Sequence, residues 1–364
     1  MAVQPRNATN SIKAIDPTSI HQITSGQVVV DLQGAVKELV ENSLDAGATN
    51  IEVRLKDGGV EVIEVVDNGS GIAPEDYSSV ALKHTTSKLE KFEDLSTVDT
   101  FGFRGEALSS LCALSEKVTM TTSTGARSSM GVALEFGMDG QLMNSDKKVA
   151  RQRGTTVSVH NIFKPYPVRR KELEKNVKRE LNKMLHLMEA YALVPCTREN
   201  RGVRFAVSNQ AHGGKKVEQI NLPRTTSLRS AVSALWGRKS LDNLIDLDLE
   251  FEVETERAVL RRRGKDSSKS KNTVRVRGLI SKFSVGCGRS GTDRQFYFVN
   301  GRPCSPGKVA KAFNDVYKTF NMTQSPFIVA DFLIPTDSCD INVSPDKRTI
   351  LLHSEGSLVE ALKV

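Results

Sequence analysis

The chain has 364 residues, 38% of them hydrophobic, which is enough for two packed domains and excludes global disorder. Its net charge of +8 favours an anionic partner such as nucleic acid or an acidic surface, although a mildly basic enzyme fits the same figure. No apolar run spans a bilayer, Met1–Ser11 lacks the apolar core of a secretory signal, and five scattered cysteines without C-x-x-C point to a reducing cytosolic or nuclear compartment.

Residues 1–11 read as a disordered arm. Asp16-Pro17 is an N-cap followed by proline at the first helical position, with Gly26 as the stop of that helix. A second helix is expected from about Gln33 to Ala46. Its apolar positions Ala35, Val36, Leu39, Val40 and Leu44 recur at helical spacing, and Gly47 stands where a C′ glycine belongs. Ile51–Leu55 and Val60–Val66 read as strands of a hairpin turning at Gly58-Gly59. Ala73 to Thr100 is polar and irregular, in keeping with a mobile loop, and a helix begins near Gly105. Strands follow to about Val159.

Residues 164–183 carry eight Lys or Arg against three Glu and read as one long basic helix running on to about Leu193, where Pro195 ends it. The stretch 209–225 reads as loop and marks the domain boundary: a first domain over 12–220, with a lid at about 73–108, and a second over 221–364. Within the second, the low-complexity run around 258–273 reads as a disordered insert. The last residues look like a helix cut off mid-course, so the chain reads as a fragment of something longer.

Five patterns carry chemistry. Glu38, Asn42 and Asp45 stand at i, i+4 and i+7 and share one face of a helix whose other face is apolar. A carboxylate there can deprotonate water, and an amide oxygen one turn on can coordinate Mg²⁺. Asp67-Asn-Gly-Ser-Gly71 follows an apolar strand; the carboxylate can accept from an adenine amino group, and Gly69 and Gly71 let backbone approach a flat base. Phe101-Gly-Phe-Arg-Gly-Glu-Ala-Leu108 sets glycines before a helix, a phosphate cradle that is neither a P-loop nor a dinucleotide fingerprint. Thr86-Ser87-Lys88 offers hydroxyls and a cation in the mobile segment, and Thr155 follows Gly154 at the start of a strand. Each of these patterns standing alone has a plain reading as an exposed helix face, a turn or a glycine loop.

Together, in this order, they resemble the ATP site of the gyrase, heat-shock-chaperone, histidine-kinase and MutL superfamily. The segments Val36–Thr49, Asp67–Gly71, Thr86–Lys88, Phe101–Leu108, Phe298-Val-Asn-Gly-Arg302 and Asp340–Lys347 look like MutL, in the eukaryotic postmeiotic-segregation branch. The resemblance implies an α/β chain, with a Bergerat-type (GHKL) ATPase domain followed by a ribosomal-protein-like α/β transducer domain. It implies ATP and Mg²⁺ as cofactors and slow ATP hydrolysis that orders a lid and associates N-terminal modules around DNA. Glu38 would be the general base, Asn42 the Mg²⁺ ligand beside Asp45, and Asp67, with Gly71 and Thr155, the adenine site. Thr86, Ser87 and Lys88 would belong to the lid. Gly102, Phe103, Arg104, Gly105, Glu106, Ala107 and Leu108 would cradle the phosphates, Arg104 in a structural role. Lys347 would reach the γ-phosphate from the second domain.

The family's usual Gly-Glu-Val-Val reads Gly26-Gln-Val-Val29 here, which leaves the core chemistry untouched. The basic cations Arg169, Arg170, Lys171, Arg302, Lys308 and Lys311 are expected to meet double-stranded DNA without base readout. The implied partners are the other eukaryotic MutL homologue, in a heterodimer, and MutS-type mismatch-recognition proteins, in the nucleus. No acidic and His-rich metal motif is present, so no nuclease activity is expected of this chain. Two other readings are a type II topoisomerase subunit and a non-hydrolysing, ATP-switched DNA clamp.

Overall fold

A computed structural model describes residues 14–88, 100–125, 130–198, 202–254, 271–305, 307–335, 339–340, 348, 351–352 and 355–361. The arm at 1–11, most of the expected insert and Lys347 lie outside these residues.

Helix α1 spans Pro17–Val28, and the Asp16 side chain caps it by accepting from the Ser19 N–H at 2.9 Å. Gly26 does not stop this helix. It lies inside it because the Arg169 guanidinium presses there: an added Cβ would stand 3.1 Å from that group, and Arg169 Nη2 donates to the Gly26 carbonyl at 2.9 Å. Helix α2, Leu32–Asp45, starts at the Asp31 cap and buries Val36, Leu39 and Val40. It closes on a Schellman turn in which the Ala48 N–H bonds to Ser43 O, the Gly47 N–H bonds to Leu44 O, and Gly47 takes φ +70°.

The antiparallel hairpin of β1 (Asn50–Lys56) and β2 (Val62–Asp67) follows, joined through a 3-10 turn at Asp57–Gly59. Helix α3 (Ala107–Leu114) leads into β3 (Ser115–Ser123), β4 (Met130–Phe136), β5 (Leu142–Ala150) and β6 (Gly154–Ile162). The basic stretch forms two helices, α4 (Pro167–Lys175) and α5 (Val177–Leu193), because Asn176 leaves helical geometry at φ −116°, ψ 23° and caps the first with its own N–H. The segment expected to be loop at 209–225 is largely strand: β7 (Arg204–Gln210) and β8 (Lys216–Leu222) pair as a hairpin around the His212-Gly213-Gly214 turn. The first sheet therefore runs β5-β4-β3-β6-β2-β1-β7-β8, parallel only at β1–β7. Ile51, Val53, Leu55, Ile63 and Val65 point into the core under α2 and α5, while Glu52, Arg54, Glu64 and Lys216 pair on the solvated face.

Helix α6 (Leu228–Trp236) connects to the second sheet, built from β9 (Leu244–Glu254), β10 (Lys271–Ser281), β11 (Gln295–Val299), β12 (Arg302–Cys304) and β13 (Ile328–Leu333) in the order β12-β11-β13-β10-β9. Residues 271–273, expected to end the disordered insert, belong to β10 and pair with β9. Alternation on β11 divides two cores. Phe296 and Phe298 join the first core, with Trp236 stacked on Phe296 at 5.6 Å. Tyr297 and Val299 face a second core with Val309 of α7 (Gly307–Phe320) and Leu358 of α8 (Glu355–Ala361). A two-stranded ribbon of β14 (Cys339–Asp340) and β15 (Leu351–Leu352) stands apart from both sheets.

Gly278, in the middle of β10, holds φ +153°, and a Cβ there would stand 1.8 Å from the Val329 carbonyl oxygen of β13. Gly278→Ala should cost about 2 kcal/mol or more of stability. Urea unfolding checks this; an unchanged midpoint counts against the close approach of β10 to β13.

Candidate active site

A cavity of about 640 Å³ opens between α2, the start of α3 and the segment 70–88. Its walls include Glu38 and Asn42 of α2, Gly71, Thr86–Lys88, and the continuous run Gly102–Leu108. The motifs scattered over seventy residues of sequence thus meet around one space.

The α2 wall is set by helical spacing. Glu38 and Asn42 lie one turn apart on the face opposite the apolar stripe, and Glu38 is only 7% exposed. Lys37, buried beside it, donates from Nζ to Glu38 Oε1 at 2.8 Å and to Glu41 Oε2 at 2.9 Å. Burial alone would lower the Lys37 pKa; the carboxylates of Glu41 and Glu38 outweigh it and lift the value to about 12. The fully buried Tyr191 hydroxyl donates to Glu41 Oε1 at 2.5 Å, and burial followed by the Glu41 charge pushes its pKa well above the usual phenol value.

Asp45 does not line the cavity; it fastens the opposite wall. Its Oδ1 accepts the Phe101 N–H at 2.8 Å and its Oδ2 the Gly102 N–H at 2.9 Å. Lys88 Nζ bridges Asp45 Oδ2 at 2.7 Å and Asn42 Oδ1 at 3.1 Å. An ammonium therefore already occupies a position where Asn42 offers a hard oxygen to a cation.

The loop 102–106 passes close behind 84–88. Gly105, at φ +62°, brings its α-carbon so near the Thr85 carbonyl that a Cβ would stand 2.4 Å from that oxygen. The Gly105 carbonyl accepts the His84 N–H. The Glu106 side chain makes no capping bond to α3, and Glu106, Ala107 and Leu108 at the start of the helix line the cavity. Arg104 lies over the Phe103 ring at 5.9 Å, and Phe103 itself is buried.

Asp67 and Thr155 do not line the cavity; a chain of hydrogen bonds connects them to its wall. Asp67 Oδ1 accepts the N–H groups of Gly69 at 2.8 Å and Thr155 at 3.2 Å, and Oδ2 accepts the Ser43 hydroxyl at 3.1 Å. Burial raises the Asp67 pKa, and these three bonds act against it. Thr155 Oγ1 lies 3.1 Å from Thr122 Oγ1, which accepts the N–H of the wall residue Ile72.

Three of the expected DNA-facing cations are turned inward. Arg169 bonds to Gly26 and lies over the Phe163 and Tyr166 rings, fastening α4 to α1. Arg170 donates to the carbonyls of Val60 and Ile162 and to Glu174. Arg302, 8% exposed, donates to the carbonyls of Phe101 and Thr100 and stacks on the Phe101 ring at 5.1 Å. A count of positive charges along a sequence carries no direction, and these guanidinium groups are held by backbone oxygens and aromatic rings. Lys171, Lys308 and Lys311 are exposed. Lys347 is outside the described residues; its neighbour Arg348 is anchored by the Ser305 N–H to its carbonyl at 3.1 Å.

Sequence reasoning missed the cavity residues Val28, Asp76, Ser79 and Thr124. The Ala73-Pro74-Glu75-Asp76 string carried a signal for the second of these: proline at the first position of a short helical turn, which is the 3-10 turn observed at Pro74–Asp76.

Two family models match the chain. The histidine kinase-, DNA gyrase B- and HSP90-like ATPase family covers residues 30–157, and the C-terminal domain of the DNA mismatch repair protein family covers residues 257–364. The first defines the class of the cavity-bearing half, an ATPase domain of the GHKL type, followed here by a transducer domain. The chain is 45% identical over 354 residues to mismatch repair endonuclease PMS2 of Mus musculus, a match covering 97% of this chain and 40% of that protein. A solved N-terminal domain of a DNA repair protein superposes with TM-score 0.81 at 40% identity, covering 94% of this chain and 95% of that one. The ATPase domain of Aquifex aeolicus MutL, solved with ADP, shares the fold with TM-score 0.50 at 24% identity, covering 82% of this chain and 90% of that one. The chain belongs to the MutL-type family of DNA mismatch repair proteins, in the branch of PMS1 and PMS2, and is homologous to their N-terminal ATPase region. It spans about 40% of the length of the curated relatives it matches.

Asp45→Ala would strand two amide donors and leave the Lys88 ammonium without its carboxylate. The expected cost is about 3 kcal/mol, with faster amide exchange at Phe101 and Gly102. Native-state hydrogen exchange checks it, and unchanged protection of both amides would show that Asp45 does not hold the loop.

Proposed function

We propose that this chain binds ATP in the cavity and hydrolyses it, with Glu38 as the base. The observation that carries the reading is the placement of the buried Glu38 carboxylate on the wall facing the uncapped start of α3. The N-terminus of α3 and the glycines 102 and 105, all lining the cavity, suit the phosphates. Glu38 takes a proton from water as the water oxygen bonds to the γ-phosphorus. The bridging oxygen then leaves with ADP, and inorganic phosphate is released.

Asn42 Oδ1 would hold Mg²⁺; its fit is supported by the Lys88 ammonium that the same oxygen already accepts at 3.1 Å. When bound, the ion neutralises phosphate charge. Asp67 Oδ2 accepts one bond, from Ser43, and a carboxylate oxygen has room for a second, so an adenine amino group suits it. Gly71 and Thr155 complete that end. Thr86, Ser87 and Lys88, which line the cavity, would act as lid residues. On the family resemblance, Lys347 supplies the second domain's cation to the γ-phosphate.

The ADP bound in the Aquifex aeolicus domain and the family membership support this reading. Membership also supports a role in mismatch repair in the nucleus, in a heterodimer with the other eukaryotic MutL homologue and together with MutS-type proteins. ATP-driven lid ordering and N-terminal association then clamp double-stranded DNA. The exposed Lys171, Lys308 and Lys311 are the cations suited to sequence-independent phosphate contact. The endonuclease activity in the name of the mouse relative is that of a protein of which this chain spans 40%, and we assign none to this chain.

Glu38→Ala should keep ATP binding and lose hydrolysis by at least about 100-fold in single turnover. Equal turnover of variant and wild type would remove Glu38 as the base. Asp67→Asn replaces one acceptor oxygen by an amide donor and should weaken ATP binding by about 10-fold or more in equilibrium titration. Undiminished affinity would place the adenine elsewhere.

A further inference from the structure

α2 carries a buried cation that the hydrolytic reading does not use. Lys37 is 2% exposed, and its ammonium sits between two carboxylates, Glu38 and Glu41, at 2.8 and 2.9 Å. Glu41, itself 2% exposed, is held from α5 by the Tyr191 hydroxyl. The result is a continuous buried chain, Tyr191–Glu41–Lys37–Glu38, that begins on α5 and ends on the cavity wall.

Stability alone is a poor reason for such a chain. Desolvating three charges costs several kcal/mol per ion, and well-packed apolar groups of the same volume commonly do as well or better. Geometry supplies a better one. A glutamate side chain has three rotatable bonds, and its rotamer entropy works against a fixed aim at one water molecule. An ammonium fixed on its other side by Glu41 removes that freedom at Oε1.

We propose that Lys37 is the positioning residue of the hydrolytic site, orienting the Glu38 carboxylate and itself oriented by Glu41 and Tyr191. This rests on the reading of Glu38 as the base. Among the described residues, the charged and titratable groups at the cluster include Glu38 and Glu41 of α2, Tyr191 of α5 and Arg302 of β12, whose charge reaches Tyr191. Lys37 donates to both carboxylates.

The decisive variant is the double substitution Lys37→Met with Glu41→Gln. It removes one positive and one negative charge, so the cluster keeps its net charge of one negative and no orphaned pair of carboxylates is buried. Thermal melting reports its fold, equilibrium titration its affinity for a non-hydrolysable ATP analogue, and single-turnover assays its hydrolysis with Mg²⁺. The expected result is an analogue affinity within a few-fold of wild type and hydrolysis slowed roughly 10- to 100-fold, the range a misaimed reacting group produces.

Lys37→Arg keeps a cation and should recover hydrolysis by at least about 10-fold over the double variant, a rescue that keeps the question open to test should the double variant unfold. Wild-type hydrolysis in the double variant, or no rescue by arginine, overturns the proposal. Glu38→Ala separates the two levels: if it hydrolyses ATP normally, the reading of the base fails and takes this inference with it. If it is inactive while the double variant is fully active, only the role of Lys37 is lost.

Discussion

The Asp45 carboxylate, in the last turn of α2, accepts the amide protons of Phe101 and Gly102 and the ammonium of Lys88. Everything else at the cavity is placed relative to that knot. The first two bonds fix the glycine loop against the helix that carries Glu38 and Asn42. The third draws the lid segment across to the same point. Charge-assisted bonds in a nearly dry site are individually stronger than neutral ones, and a carboxylate can hold several donors at once. A residue without charge at this position has no means of gathering three backbone segments that are far apart in sequence.

The loop fastened by Asp45 is also gripped from the second sheet. Arg302 of β12 holds the carbonyls of Thr100 and Phe101 and lies against the Phe101 ring, and Arg198, bonded to the Asn300 carbonyl, approaches the same ring. Phe101 in turn lies 6.1 Å from Tyr191, where the Lys37–Glu38 chain begins. One aromatic side chain therefore touches the second sheet, α5 and, through its own amide, α2. Packed interiors transmit displacement because they hold few voids, so a shift of β12 has a short physical route to both walls of the cavity.

Much of this was legible before the structure. The period of α2, its Gly47 terminus, the Asp16 cap and the β1–β2 hairpin are local features, written in neighbouring residues. The site motifs were legible as a set because five weak patterns in one order constrain one another. What could not be read were relations across the fold. Gly26 signalled a helix end by composition, yet it is there because Arg169 comes to lie on it. The 209–225 stretch looked like loop because β8 is an edge strand with four exposed residues, Lys216 to Gln219, before its first buried one. Asn176 breaks the basic helix with no proline or glycine to announce it.

The charge balance shows the same limit in its sharpest form. A net charge of +8 is a property of the whole chain, whereas the field a polyanion meets is made by cations that reach water. Arg169, Arg170 and Arg302 add to the first and give little to the second. Their guanidinium groups are planar, multiply donating and weakly hydrated, which suits them to join carbonyls and aromatic rings inside the protein. Lysine is a compact, strongly hydrated charge, and Lys171, Lys308 and Lys311 remain at the surface. Lys37 is the exception that fits the rule, since it is buried only because two carboxylates replace its water. In this chain the chemistry of the cation sorts it between binding surface and scaffold.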